Sequence, residues 1–263
     1  MTSQLALNSI RKKLPLLGLV LLMLTTYALP LAAQEAPDQR KLTDPTALGF
    51  EPAMEMYDPW EGWNRGVYRF NYGFDKFVFL PLVRGYQFIV PATGRKGVTN
   101  FFSNLSEVQN FVNNLLQGKA EGCVNSVLRF AFNSTLGLGG LMDPATGMGF
   151  PEWKEDFGQT LGVWGLGPGP YMVLPVLGPS SLRDAGGLAV DAVTNSLWRD
   201  FLINQGTGWS TSTEDKGKWS LTGLQILNTR SNVAFRYYGT GSPFEYELVQ
   251  FLYLKNRQIL IEQ

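Results

Sequence analysis

The sequence predicts an all-α fold, and three observations carry that prediction. Helix-start signals recur at Asp58-Pro59-Trp60-Glu61, Ser181-Leu182-Arg183-Asp184 and Ser242-Pro243-Phe244-Glu245, each with a short polar residue three places ahead of a carboxylate. Apolar residues return at spacings of three and four over most of the chain between these signals, the period of one helix face. The one long apolar stretch without that period, Gly165 to Ser180, is interrupted by prolines and reads as an extended segment that cannot belong to a central strand.

In chain order, the first helix opens at Asp58 and carries Trp63, Val67, Phe70, Phe74 and Phe77 along one side. The plain reading of such an aromatic stripe is a packed core. Pro81 and Pro91 bracket a short piece, and neither fits inside a continuous helix. Val108, Phe111, Val112 and Leu115 mark a helix that ends at Gly118; Ala120, Val124, Val127, Leu128 and Ala131 mark the next, closed by Asn133 and Ser134. Leu136 to Pro151 is rich in glycine and proline and too long for a simple helical connection. Helices are expected again over Glu155–Val163, from Ser181 toward Trp198, over Glu214–Tyr237, and over Tyr246–Ile261, the last with apolar residues on nearly every side.

The N-terminus reads as a sorting signal. Arg11, Lys12 and Lys13 precede an apolar run to about Leu29, and Leu31-Ala32-Ala33 offers a small residue at the cleavage point. The expected organisation is a signal peptide over 1–33, a flexible lead-in over 34–57 and a single helical domain over 58–263. Removal of the signal leaves 19 basic against 22 acidic residues, a net charge of −3 with no broad attraction for nucleic acid.

Composition narrows the chemistry. The chain holds no histidine and one cysteine, Cys123, which sits in a helical apolar pattern as a small buried hydrophobe. Ser-His-Asp and Cys-His hydrolase arrangements and HExxH metal sites are thereby excluded. Gly137-Leu138-Gly139-Gly140 lacks the third glycine of a dinucleotide loop, and Gly165 to Pro170 has no lysine to meet a phosphate. No catalytic group and no cofactor are expected. An enzyme working with carboxylates alone would have Asp143, Asp156 and Asp184 to use, without a metal-ligand spacing.

Several segments together resemble the MlaA family, also called VacJ. They run from Asp58 through EGWNR and YRFNY, FFSNL, NNLLQG and RFAFNSTLGLGGLMDPA to FGQTLGVWGLGPGPYMVLPVLGPSSLRDAGG, and return at Lys218-Trp219 and SPFEYELVQF. The resemblance implies a ring-like helical assembly around an amphipathic central channel, lying in the inner leaflet of the outer membrane. It implies phospholipid as cargo, retrieved from the outer leaflet, with a trimeric porin and a periplasmic MlaC-type lipid carrier as partners. A porin-associated structural adaptor that moves no lipid is the alternative. The chain departs from the family pattern in one respect, since no cysteine precedes Cys123 to be acylated at the end of a signal peptide.

Within the resemblance, the candidates for lining or gating the lipid path are Phe70, Asn71, Tyr72 and Phe74 on the first helix, Asp143 in the mid-chain loop, Arg183, Asp184 and Lys218. Each has an ordinary counterpart: core packing for the aromatics, a solvated connector for the loop, capping and ion pairing for Arg183 and Asp184, and a surface position for Lys218.

Overall fold

The computed structural model describes residues 58–206, 211–241 and 243–263, with the side chains of 199–206 and 211–219 outside the described set. The expected signal peptide and lead-in lie outside the described residues, as does Ser242.

Helix α1, Glu61–Phe74, starts where expected but without the reciprocal capping box. Asp58 Oδ1 accepts from the backbone N–H of Trp60 at 3.0 Å and from Asn64 Nδ2 at 2.9 Å, while Arg65 Nε donates to the Glu61 carboxylate at 2.6 Å. The carboxylate gains a charged partner one turn ahead, so it does not fold back to the cap. The chain then continues through a π-helical turn, Asp75–Phe79, into α2, Leu80–Ile89. Pro81 therefore does not interrupt the helix. The N–H of Leu80 reaches back five residues to the Asp75 carbonyl, and the widened turn places Pro81 in the first turn of α2, where its missing donor costs nothing.

After Pro91, α3 runs over Ala92–Gln117 and ends at Gly118, whose φ of 75° is the left-handed stop that glycine adopts freely. Helix α4, Ala120–Thr135, returns antiparallel along it. Glycine is required at 122, where a Cβ would sit 1.9 Å from Asn114 Oδ1. The glycine-rich loop that follows contains a short helix α5, Pro144–Gly147, capped by Asp143, and Asp156 caps α6, Phe157–Val163.

The extended segment forms an antiparallel hairpin of β1, Tyr171–Leu174, and β2, Gly178–Ser181, with Tyr171 opposite Ser181 and Leu174 opposite Gly178. This is a local insertion in a mostly helical fold. Helix α7, Leu182–Gly206, begins as expected, with Ser181 Oγ accepting from the N–H of Asp184 at 3.1 Å. Helix α8, Thr211–Asn232, stops short of Tyr237 because Arg230 gathers the chain beyond it, donating to the carbonyls of Val233 at 2.9 Å and Phe235 at 3.2 Å and to Asp75 at 2.6 and 2.8 Å. Helix α9 spans Glu245–Glu262. Val67, Tyr68, Tyr171, Val173 and Tyr246 form a small apolar core joining α1, the hairpin and α9.

Candidate lipid-facing surface and cavities

The aromatic stripe of α1 is not core. Of its five residues only Val67 is buried; Trp63, Phe70 and Phe77 are 67%, 52% and 74% exposed. The face turned inward carries Asn64, Val67, Tyr68, Asn71 and Asp75. Two asparagines two turns apart explain this inversion, because each serves the free edge of β1 as a strand would. Asn64 donates to the Tyr171 carbonyl at 3.1 Å and accepts from the Val173 N–H at 2.8 Å. Asn71 donates to the Leu174 carbonyl at 3.0 Å and accepts from the Val176 N–H at 2.7 Å.

The α3–α4 pair repeats the inversion. Its inner faces present Asn104, Glu107, Asn110, Asn113 and Asn114 against Asn125, Ser126, Arg129 and Asn133, while Leu115, Val124 and Val127 face outward. Cys123 is only partly buried, with burial pushing its thiol pKa up. On α2 the outward residues include Phe88, 92% exposed, and Ile89, 78% exposed. A polar interior under an apolar exterior is the reverse of what water selects, and so large an apolar surface marks contact with lipid or protein. Among the described residues no helix is long and apolar enough to cross a membrane, so the surface suits helices lying along an interface.

The sequence-predicted site residues fall into three groups. Phe70 stacks on Phe74 with ring centroids 5.9 Å apart at the outer side of α1, and Tyr72 packs against Tyr238 at 5.1 Å while accepting from Lys76 Nζ at 3.2 Å. Asn71, Asp143, Arg183 and Asp184 are fasteners. Asp143 receives Arg129 Nη2 at 3.2 Å, Asn133 Nδ2 at 3.0 Å and the Thr146 N–H at 3.2 Å. Burial would raise its pKa, but the Thr146 bonds, Asn133 and the Arg129 charge hold it below the usual range. Lys218 lies in α8 with its side chain outside the described residues.

Arg183 and Asp184 belong to a cluster organised by Arg257, a residue not singled out from sequence because nothing in the all-round apolar α9 marks its partner. Arg257 donates to Asp156 at 2.6 and 2.8 Å and to Asp184 at 3.1 and 3.0 Å, and Tyr253 adds its hydroxyl to Asp184 at 2.7 Å. The cluster locks α6, α7 and α9 together. Burial raises the pKa of both carboxylates, yet the Arg257 bonds and charge outweigh it and hold both below the usual range. Beside the cluster opens a cavity of about 410 Å³. Pro168, Leu254 and Ile261 give it apolar walls, and Arg183, Lys255, Arg257 and Glu262 put charged groups of both signs at its lining.

These features meet the comparisons with known proteins. An intermembrane phospholipid transport system lipoprotein MlaA of Shigella flexneri is 38% identical over 173 residues, 64% of each chain. The protein of the same name in Escherichia coli K12 is 37% identical over the same length. An uncharacterised Rickettsia prowazekii protein is 38% identical over 151 residues, and the matched region spans 57% of its length. A solved structure described under "Structural basis for maintenance of bacterial outer membrane lipid asymmetry" superposes with a TM-score of 0.56 at 30% identity, covering 78% of this chain and all of that one. The family model described as MlaA lipoprotein matches residues 56–260, nearly the whole of the described fold, and the chain belongs to the MlaA family.

Proposed function

We propose that this chain is a phospholipid-translocating component of an outer-membrane lipid-asymmetry pathway, removing mislocalised phospholipid from the outer leaflet and passing it to a periplasmic carrier of the MlaC type. The carrying observation is the inverted fold, with asparagines and ion pairs inside and Phe88, Ile89, Phe77 and Trp63 outside. That distribution suits a protein seated in the inner leaflet of the outer membrane, beside a trimeric porin. Phe70 and Phe74 then meet lipid, and Lys218 steers headgroup phosphates within the path. No bond is made or broken. The names of the Shigella and Escherichia relatives support the cargo.

Export is assigned to the 1–33 segment. The 263 residues carry cysteine at 123 alone, so attachment is assigned to the apolar exterior in place of an acylated cysteine. A mature intact mass that includes a diacylglyceryl group would overturn that assignment. Transport itself is tested by deleting the gene and measuring outer-leaflet phospholipid through its accessibility to an external phospholipase. The expected result is accumulation, reversed by a full-length copy; unchanged accessibility would remove lipid retrieval as the function.

A further inference from the structure

A second cavity, of about 350 Å³, opens between α1 and α9. That is near the lower end of ligand sites, roughly 300–1,000 Å³, with room for a headgroup and not for a whole lipid. Two arginines one helical turn apart line it, and they differ in their engagement. Arg65 is committed: Nε donates to Glu61 at 2.6 Å, Nη2 donates to Glu247, and the guanidinium lies 4.4 Å from the centre of the Tyr246 ring. Among the described residues Arg69 makes a single side-chain hydrogen bond, Nε to the Arg65 carbonyl at 3.3 Å, and no carboxylate pairs with it.

Tyr238 and Glu245 also line the cavity. Tyr68 and Tyr72 stand perpendicular to Tyr238, with centroids 5.5 and 5.1 Å from it, and Tyr238 remains half exposed. Its backbone holds the left-handed φ of 57°, a conformation costly for tyrosine and fixed here by its N–H on the Glu245 carboxylate. Glu245 is buried, which raises its pKa, but donors from Thr240, Tyr68 and Tyr238 prevail and keep it ionised. Arg65 is already matched by Glu61 and Glu247, which do not line the cavity, so the charges the lining leaves to a ligand are Arg69 and Glu245. A ligand bearing only negative charge meets Glu245 as well as Arg69, whereas one that brings its own cation is matched at both ends.

We propose that this cavity is a headgroup site selective for zwitterionic phosphodiesters, with the phosphate on Arg69 and the ammonium against the face of Tyr238. The proposal deepens the lipid-transport reading and rests on it. Its test uses soluble headgroups, which need no transport. The full chain in detergent is titrated with glycerophosphoethanolamine, glycerophosphoglycerol or inorganic phosphate and followed by phosphorus NMR. Glycerophosphoethanolamine should bind at least about fivefold more tightly than the other two. Arg69→Gln should weaken all phosphate binding about tenfold, Tyr238→Leu should erase the preference while phosphate still binds, and Lys154→Gln, remote and exposed, should change neither. Equal affinity for inorganic phosphate and glycerophosphoethanolamine, or an Arg69→Gln variant that binds as the parent does, overturns the site while leaving the phospholipase test of transport untouched.

Discussion

Arg129 donates through Nε to Glu107 at 2.5 Å, and both side chains are sealed from solvent, 1% and 0% exposed. The pair joins α3 to α4, and the same guanidinium reaches Thr146 at 2.9 Å and the Phe150 carbonyl at 2.6 Å, so it also staples the glycine-rich loop. Removing one member of a buried pair strands the other's charge, at a cost of about 3–5 kcal/mol, whereas replacing both by apolar groups of similar volume is close to neutral. Arg129→Met should therefore lower the unfolding midpoint sharply and open the loop to protease. Adding Glu107→Leu should recover much of the loss in stability but not the loop's protection. Equal melting temperatures for the parent and Arg129→Met in detergent would show that the pair contributes nothing.

The crossing of α6 and α7 gives a second prediction. A Cβ on Gly187 would lie 2.3 Å from the Gly158 nitrogen and 2.6 Å from its Cα, so backbone must move to admit it. Gly187→Ala should destabilise by about 1–3 kcal/mol, as overpacking does. Gly66 on α1 has open space where its Cβ would stand, and there Gly66→Ala should stabilise by about 0.5–1 kcal/mol through helix propensity alone. The two alanines are predicted to move thermal stability in opposite directions; a shift of the same sign in both refutes the close-crossing account.

How far the sequence led can be traced through particular residues. Periodicity located the helices, and Gly118 and Ser181 marked a stop and a start that the structure keeps. It misassigned the faces. The rule that apolar stripes point inward presumes water outside, and the aromatic stripe from Trp63 to Phe77 obeys a different surrounding. A signal for the inversion existed, since Asn104, Asn110, Asn113 and Asn114 recur at helical spacing opposite the apolar positions. The Arg257 cluster offered no such signal: Asp156 and Asp184 meet Arg257 only because three helices converge. Cap chemistry at Glu61 was likewise hidden, because Arg65 one turn ahead takes its carboxylate away from the cap.

Asp191 supplies a pH prediction. Burial raises its pKa to about 6, helped by the charge of Asp156, while the Phe157 N–H at 3.0 Å, Asn113 and the Arg257 charge act against the rise. The folded value lies above the unfolded value of 3.8, so its contribution is fully present below about pH 4 and is lost as pH rises through about 6. Asp156 and Asp184 have lowered values, so their contribution is present above 3.8 and is lost only as pH falls through their folded pKa. The windows do not overlap. Asp191→Asn should flatten the stability profile between pH 4 and 6 and raise stability at pH 7 by on the order of 3 kcal/mol, which the Phe157 bond to the asparagine oxygen helps preserve. A melting-temperature profile that keeps its slope over that window in the variant contradicts the assignment.

The apolar exterior yields the last prediction. Phe88 is 92% exposed and Ile89 beside it 78%, at the end of α2, and neither is needed to hold the helix, whose buried residues are Val83 and Tyr86. If this end of α2 sits in a leaflet, Phe88 contributes about 1.5–3 kcal/mol of transfer free energy there. Phe88→Glu removes that contribution and adds a charge that the leaflet rejects, so vesicle binding should weaken by roughly ten- to a hundredfold, each 1.4 kcal/mol being a factor of ten. Thermal stability should stay within about 0.5 kcal/mol, as for a surface substitution away from packed contacts. Flotation of the purified chain with phospholipid vesicles measures the first quantity and thermal unfolding in detergent the second. Were Phe88→Glu to float as the parent does while keeping its fold, α2 would not be in the leaflet, and the exposed face would have to be covered by protein instead.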